Sequence, residues 1–431
     1  MRHSCKWPAE TGRLFFCIFM TEKTKQTELT FTSLGINPAI LGVLKNLKLE
    51  TPTPIQEKSI PIVLAGQDLI GVAQTGTGKT FAFGIPMLER LMLIGGRGLV
   101  LLPTRELATQ VDENLKKIGT SLGLRTAALI GGEAMGRQLQ SLKRNPHILI
   151  ATPGRLIDHL KRGAVKLNEV KILVLDEADR MLDMGFAPQL EEIIKRLPEI
   201  RQTVLFSATM PREIMKLASL YMTSPVHIEV APSGTTVENV DQEMHVVKKE
   251  HKHMHLEKIL SEHSGSVLVF TRTKHGARSL ARNLGYSGHK VAEIHSNLSF
   301  NQRRESMAGF KNRKYRILIA TDIAARGIDV DGIELVVNYD LPDNSEDYVH
   351  RIGRTARAGN AGKAISFAIP NQRRDILDIE RLINKKLNLV EFAKLDLPNM
   401  RPTFVRRGRV MSFGTTTSPR FRPGRPGRRR R

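Results

Sequence analysis

Short β-branched runs, each closed by a turn signal and followed by an amphipathic stretch, recur between residues 69 and 368. This alternation predicts strands at Leu69–Ala73, Leu99–Leu102, Ala127–Ile130, Ile148–Ala151, Ile172–Asp176 and Thr203–Ser207, with helices such as Phe81–Met92 and Glu106–Ile118 between them. A polar stretch, Ala231-Pro-Ser-Gly-Thr-Thr-Val-Glu-Asn239, interrupts it. The pattern resumes at Val267–Thr271, Val291–Ile294, Ile317–Thr321, Leu335–Tyr339 and Ala364–Ala368. Strands that are apolar throughout must be covered on both faces, and intervening helices that cover them imply parallel sheets. The expected fold is therefore α/β: two tandem parallel-sheet lobes, 58–230 and 241–395, joined by a flexible linker at 231–240. Residues 29–57 stand ahead of the first lobe.

The unusual polar clusters fall just past the C-terminal ends of these predicted strands. In open parallel sheets, ligands bind at that edge. After the first strand, Ala73, Gln74, Thr75, Gly76, Thr77, Gly78, Lys79 and Thr80 form a glycine-rich loop that opens a helix. Strand, loop and helix in that order suit a phosphate cradle. The glycines let backbone N–H groups converge on phosphate oxygens, Lys79 reaches the β and γ phosphates, and the Thr80 hydroxyl ligates Mg²⁺. The strand Ile172–Asp176 brings Asp176 and Glu177 to the same edge, Asp176 to hold Mg²⁺ and Glu177 to orient and deprotonate an attacking water. The plainer reading of that pair is an acidic helix start favoured by the helix dipole. A phosphate loop upstream argues for the chemical one, with a nucleotide and Mg²⁺ bound there.

Charge points to a polyanionic partner. The 431 residues hold 66 Lys and Arg against 43 Asp and Glu, a net +23. Residues 401–431 contain eleven Arg, no Lys and no acid, so this stretch alone carries +11. Residues 401–431 also hold four Pro and four Gly, and 396–431 is expected to be a disordered basic tail. Such charges repel one another unless a surface of opposite sign takes them up. Two cysteines, Cys5 and Cys17, are too few for a disulfide scaffold. No apolar run approaches the ~18 residues of a membrane span, so a cytoplasmic protein with no membrane partner is expected. Leu14–Met20 is short for a signal peptide and lacks a small-residue cleavage site. Met20 as the start, with 1–19 a non-native or disordered extension, fits better.

Asp176-Glu177-Ala178-Asp179 spells the motif that names a family, and with it the chain resembles the DEAD-box ATP-dependent RNA helicases of superfamily 2 across residues 31–370. The likeness is to bacterial-type members with a basic tail, and it implies RecA-like lobes and ATP as the nucleotide. Pro52-Thr-Pro-Ile-Gln56 is similar to the family's Q motif, which implies that Gln56 reads the adenine edge and Phe31 stacks on the ring; Lys48 and Leu49 replace its usual Gly–aromatic pair. Pro103-Thr-Arg-Glu-Leu107, Gly131-Gly132 and Thr152-Pro-Gly-Arg155 resemble the strand-binding motifs. By that resemblance Thr104, Arg105, Gly131, Gly132, Thr152, Pro153, Gly154 and Arg155 contact RNA, through phosphate and sugar groups that carry no sequence information. Ser207-Ala-Thr209 resembles the coupling motif, which implies a link from the ATP site to strand separation, and Asp179 is counted with it among the coupling residues.

In the second half, Phe270-Thr-Arg272 and Ala320–Asp329 imply Arg272, Thr321 and Arg326 toward RNA and Asp329 toward the ATP ribose. Tyr348–Arg357 is similar to the family's arginine motif. It implies Arg354 and Arg357 as arginine fingers, worth about 10³–10⁵ in rate, with His350 and Arg351 linking to the first lobe. A Gln-x-x-Arg pattern keeps Arg303 but has Phe300 at the Gln position, so Phe300 stays outside the expected site.

The expected activity is local duplex separation or remodelling of RNA–protein complexes, coupled to RNA-stimulated ATP hydrolysis. The RNA would be single-stranded or duplex and recognised largely without regard to sequence. Ribosomal precursors, RNA decay and cold adaptation are open as settings. An annealing clamp and a DNA helicase are the rivals. RNA over DNA follows from the resemblance, because phosphate contacts alone do not distinguish them whereas the 2′-OH does. His251, His253 and His255 alternate like metal ligands, but in the charged run Lys248–Lys258 they read as a solvated face.

Overall fold

The computed structural model describes residues 29–74, 76–230, 240–325, 330, 332–356 and 362–391. The extension 1–19, the linker residues 231–239 and the tail 396–431 lie outside them.

The first lobe is one sheet of seven strands: β1 Leu69–Val72, β2 Arg97–Leu101, β3 Thr126–Leu129, β4 Ile148–Ala151, β5 Val170–Leu175, β6 Gln202–Ser207 and β7 Val226–Glu229. Their spatial order is β3-β4-β2-β5-β6-β1-β7, every pair parallel. The second lobe holds β8 Val240–Val246, β9 Val267–Phe270, β10 Val291–Ile294, β11 Ile317–Ala320, β12 Leu335–Asn338, β13 Gly362–Ala368 and β14 Asn388–Glu391. Its order, β10-β11-β9-β12-β13-β8-β14, repeats that of the first lobe strand for strand, again all parallel.

The apolar runs explain the layering. Along β2 and β4, Val100 and Ile150 join one buried cluster while Leu99, Leu101 and Leu149 join another on the opposite sheet face. The second lobe divides likewise, with Leu268 and Leu318 on one side and Val267, Val269 and Ile319 on the other. Successive strand residues point to opposite faces, so a continuous apolar strand feeds two helix-covered layers at once.

The predicted strands occur within a residue or two of their expected positions. Three others were not expected: β7, β8 and β14. In β7, Val226 and Ile228 are half-buried while His227 and Glu229 are exposed, and β8 carries Asp241 and Glu243 among its apolar residues. These strands lie at or beside one sheet edge, where half-exposed positions accept polar residues and the apolar run breaks up. No helix among the described residues is long and apolar enough to cross a membrane.

Candidate functional site

The C-terminal end of β1 runs directly into the glycine loop. Gly76 and Gly78 are left-handed, at φ 91° and 94°, a region closed to most side chains. A Cβ on Gly78 would also stand 2.5 Å from the Gln56 amide nitrogen. That nitrogen donates to the Gly78 carbonyl at 3.0 Å, and Gln56 Oε1 accepts from the Thr53 backbone at 3.0 Å. Both ends of the amide are thus engaged once in tying 52–56 to the loop, and each keeps a second hydrogen-bonding position, one N–H and one lone pair. Thr77 Oγ1 closes the turn by donating to the Gln74 carbonyl at 2.7 Å. Ala73 N–H pairs with the Ser207 carbonyl of β6. Thr75 lies outside the described residues.

Lys79 is the first residue of the helix Lys79–Ile94 and is 6% exposed. Its Nζ stands 3.4 Å from Glu177 Oε1 and 3.9 Å from Asp176 Oδ1, both just past the end of β5. Together with Gly76, Gly78 and Thr80 these residues line a cavity of about 190 Å³. Burial raises the Asp176 carboxyl to about 6, against the pull of Lys79 and with Glu177 adding to the rise. Glu177 goes the other way. Burial opposes its charge, but Lys79, then Arg180, Arg354 and His350 hold its carboxyl well below the usual range. The Lys79 ammonium is pushed up despite its burial, chiefly by Glu177 and then Asp176. Glu177 also adopts a left-handed backbone, φ 55°, the kind of strain that packed surroundings sustain at functional positions.

Arg354 and His350 belong to the second lobe, and with Arg180 of the first they line a second, smaller cavity. His350 is lowered to about 3, first by burial and then by Arg180, against the pull of Glu177. Arg354 is 3% exposed and its Nε donates to the His350 carbonyl at 3.2 Å. Arg351 corrects an expectation. It does not reach for the first lobe but is fixed within its own, by Asp322 at 2.5 and 2.7 Å, by Asn338 and by the Asp340 carbonyl. The bridge between lobes is instead Arg180, 2% exposed, whose Nη1 meets Asp347 Oδ1 at 2.7 Å while its Nε lies 3.8 Å from Glu177. Sequence reasoning missed Arg180 and Asp347. An arginine abutting the acidic run was the available signal, since a cation there needs a partner that the run cannot supply alone.

Asp179 gathers the end of β6. Its Oδ2 accepts from the backbone of Ala208 at 3.1 Å, from the backbone of Thr209 at 3.0 Å and from the Thr209 hydroxyl at 3.2 Å. Ser207 Oγ lies 3.3 Å from the Asp179 N–H and donates to the Thr209 carbonyl. Asp179, Ser207 and Thr209 therefore form one hydrogen-bonded unit; His350 and Arg351, the other expected coupling residues, are not part of it.

The strand-binding candidates of the first lobe also share an edge. Thr104 caps the helix Arg105–Gly119, accepting from Leu107 N–H at 3.3 Å. The Arg105 guanidinium lies over Gly131 and Gly132; a Cβ on Gly131 would meet it at 3.0 Å, and one on Gly132 would collide with it. Arg155 donates to the Glu133 carbonyl at 3.1 Å, Thr152 is the N-cap residue of the helix Pro153–Lys161, and a Cβ on Gly154 would meet open space. In the second lobe Arg272 pairs with Asp343 at 3.2 Å and donates to the Leu341 carbonyl, and Thr321 follows β11. Arg326, Asp329 and Arg357 lie outside the described residues.

Two further expectations change. Phe31 is 4% exposed within the first-lobe core and offers no open ring face for stacking. His255 is not on a solvated face: it is 4% exposed, with its Nε2 2.7 Å from His245 Nδ1. No cluster able to hold a metal through three His, Cys, Asp or Glu occurs among the described residues.

Two parallel-sheet lobes of one strand order, with a phosphate loop and acidic pair on one and arginines on the other, define a two-lobed RecA-like nucleotide hydrolase. Residues 53–217 match the DEAD/DEAH box helicase family and residues 251–359 the helicase conserved C-terminal domain. Over 388 residues the chain is 42% identical to an ATP-dependent rRNA helicase RRP3 of Yarrowia lipolytica, covering 88% of this chain and 80% of that one. Over 370 residues it is 42% identical to a DEAD-box ATP-dependent RNA helicase CshA of Bacillus cereus, covering 85% and 70%. The structure of S. cerevisiae Dbp5 bound to RNA and ADP BeF3 matches with a TM-score of 0.76 at 31% identity, over 84% of this chain and 95% of that one. The chain belongs to the DEAD-box ATP-dependent RNA helicases, enzymes that hydrolyse ATP.

Proposed function

We propose that this helicase separates RNA duplexes locally, or remodels RNA–protein complexes, by closing its lobes on one strand bent away from its partner. The observation that carries this is Arg180, whose guanidinium lies 3.8 Å from Glu177 of its own lobe and 2.7 Å from Asp347 of the other, in a cavity it shares with His350 and Arg354. A γ-phosphate beside Glu177 receives the second-lobe cations only when the lobes are closed, so hydrolysis is gated by closure. In this scheme the loop amides of 73–80 and Lys79 hold the phosphates, Gln56 and Asp329 the nucleoside. Glu177 takes the proton of the attacking water, and Arg354 with Arg357 steadies the charge that develops. Asp179, Ser207, Thr209 and the Arg180–Asp347 pair relay closure to the RNA edge. That edge is formed by Thr104, Arg105, Gly131, Gly132, Thr152–Arg155, Arg272, Thr321 and Arg326.

Thr80 and Asp176 would hold Mg²⁺. Both are oxygen donors on the cavity wall, and Mg²⁺ is commonly bound by one or two protein oxygens plus substrate phosphates. When bound, the ion neutralises charge on the β and γ phosphates. Division of the chain at 231–240, a cytoplasmic setting and a tail that adds salt-sensitive, non-specific RNA affinity complete the proposal. One relative is called an rRNA helicase, which favours ribosomal precursors over RNA-decay assemblies as the substrate.

The test is ATP hydrolysis by residues 20–431, with and without single-stranded RNA and beside matched DNA. Strong stimulation by RNA alone is expected. Equal stimulation by DNA, or none by either, would replace this reading with a DNA-directed motor or a clamp.

A further inference from the structure

The helix Phe300–Lys311 belongs to the second lobe, yet Phe300 at its start is buried in an apolar cluster whose other buried members all come from residues 31–206. Phe300 is 5% exposed. Its Cβ lies 3.6 Å from where a Cβ on Gly132 would stand, beside the Arg105 guanidinium that covers the same glycine. One turn on, Arg303 Nε meets Glu106 Oε1 of the first lobe at 2.6 Å, while its Nη1 donates to the Leu298 carbonyl of its own lobe. A capping box between Ser299 and Gln302 fixes this turn from within the second lobe. Neither Phe300 nor Arg303 lines the cavity beside Lys79.

We infer that Phe300 is a positioning residue, an apolar anchor that seats the second lobe on the Gly131-Gly132 shoulder and favours closure before RNA arrives. The inference rests on the closure-gated reading above. Parting the lobes would return the Phe300 ring to water, and burying apolar surface favours the docked state. The neighbouring Arg303–Glu106 pair also favours docking, but salt weakens it, whereas apolar burial is not screened. A glutamine at 300, the residue that the Gln-x-x-Arg pattern calls for, would forfeit most of this bias. Closure would then wait on RNA.

The experiment measures ATP turnover at saturating ATP, with and without single-stranded RNA, for the full chain and for Phe300→Gln and Phe300→Leu. Inter-lobe distance is followed by fluorescence transfer in the presence of a non-hydrolysable ATP analogue. Phe300→Gln is expected to lower the RNA-free rate about ten-fold and to lengthen the RNA-free distance, a shift of the size that apolar burial supplies. Its rate at saturating RNA should stay within about two-fold of the unsubstituted chain. Phe300→Leu, still apolar, should keep most of the RNA-free rate. Raising KCl from about 0.1 to about 0.5 M should not lengthen the unsubstituted chain's RNA-free distance, a check that needs no variant. An unchanged RNA-free rate in Phe300→Gln, an equal fall with and without RNA, or opening of the unsubstituted chain by salt would overturn the anchor. Absence of RNA stimulation in the unsubstituted chain would instead overturn the helicase mechanism on which the anchor depends.

Discussion

The two lobes share one strand order, so each position in the first sheet has a counterpart in the second. β1 leads through a glycine loop to Lys79 at the start of a helix; β8 leads through Val247–His251, without a glycine, to Lys252 at the start of the helix Lys252–Glu262. Asp176 follows β5, and Asp340 follows β12 in the matching place. Both lobes therefore carry a lysine that crosses to an acid at the same sheet edge. The distances differ. Lys252 is fastened, 2.9 Å from Asp340 and 2.7 Å from the Tyr339 carbonyl. Lys79 stands 3.4 and 3.9 Å from its acids, with all three on the wall of a cavity. The fold supplies the crossing, and the glycines, by holding the backbone away from the lysine, turn it from a strut into a site.

Replacing each lysine separates these roles. Lys79→Met should lower RNA-stimulated kcat by about 10²–10³-fold, the loss expected when one preorganised cationic or donor group is removed, and should also lower stability, because Asp176 and Glu177 are buried and lose their common cation. Lys252→Met should lower stability without that loss of turnover. Leaving Asp340 without its buried partner costs the second lobe about 2–3 kcal/mol, read by denaturant unfolding, while turnover per folded molecule stays within about three-fold. Equal loss of turnover in both variants would break the comparison. Glu177→Gln sharpens it from the acid side: hydrolysis should fall by about 10²–10⁴-fold with RNA binding retained in a filter assay.

A smaller effect is expected where the lobes meet. Asp347→Asn keeps the size of the side chain but removes the charge that faces Arg180, a residue 2% exposed. A hydrogen bond to a charged group is worth about 1.5–3 kcal/mol, so the ATP concentration for half-maximal RNA-stimulated turnover should rise about ten-fold. Steady-state kinetics at saturating RNA would show it. No change would mean that Arg180 serves only Glu177.

The first lobe was legible because its chemistry is local. Ala73–Thr80 and Asp176–Glu177 each sit in a few consecutive residues at predictable strand ends, and Gly76, Gly78, Lys79 and Thr80 line one cavity with the acidic pair. What escaped the sequence depends on residues far apart in the chain. Arg180 and Asp347 are 167 positions apart, and neither type is diagnostic alone. Phe31 passes for a stacking aromatic until its burial is seen. Arg351 looks like its neighbours in the arginine motif, yet Asp322 and Asn338 turn it inward. Edge strands β7 and β14 were lost for the opposite reason: half-exposed and partly polar, they lack the apolar run that marks a central strand.

His255 offers the finest distinction between the lobes, one of acid sensitivity. Each lobe buries a histidine. His159 of the first is lowered by burial, then by Arg155, and lies 2.9 Å from the Gln138 amide oxygen. His255 of the second is lowered to about 4, by burial first and then by His245 and Lys258. It packs between His245 of β8 and Phe367 of β13, at 5.0 Å between ring centroids in both cases. His245 in turn meets Glu243, which Lys363 also engages. An unfolded histidine titrates near 6.5. Between about 6.5 and about 4 the unfolded chain therefore binds the proton that folded His255 refuses, so stability falls as pH drops through that window and levels off below it. The second lobe should lose roughly 1 kcal/mol between pH 7 and pH 5.5 on this account. Hydrogen exchange of β8 and β13 amides, followed against pH, would register the loss. His255→Leu should flatten that slope while leaving the exchange of β2 and β4 unaltered, and a slope that survives the substitution would assign the acid sensitivity to some other group.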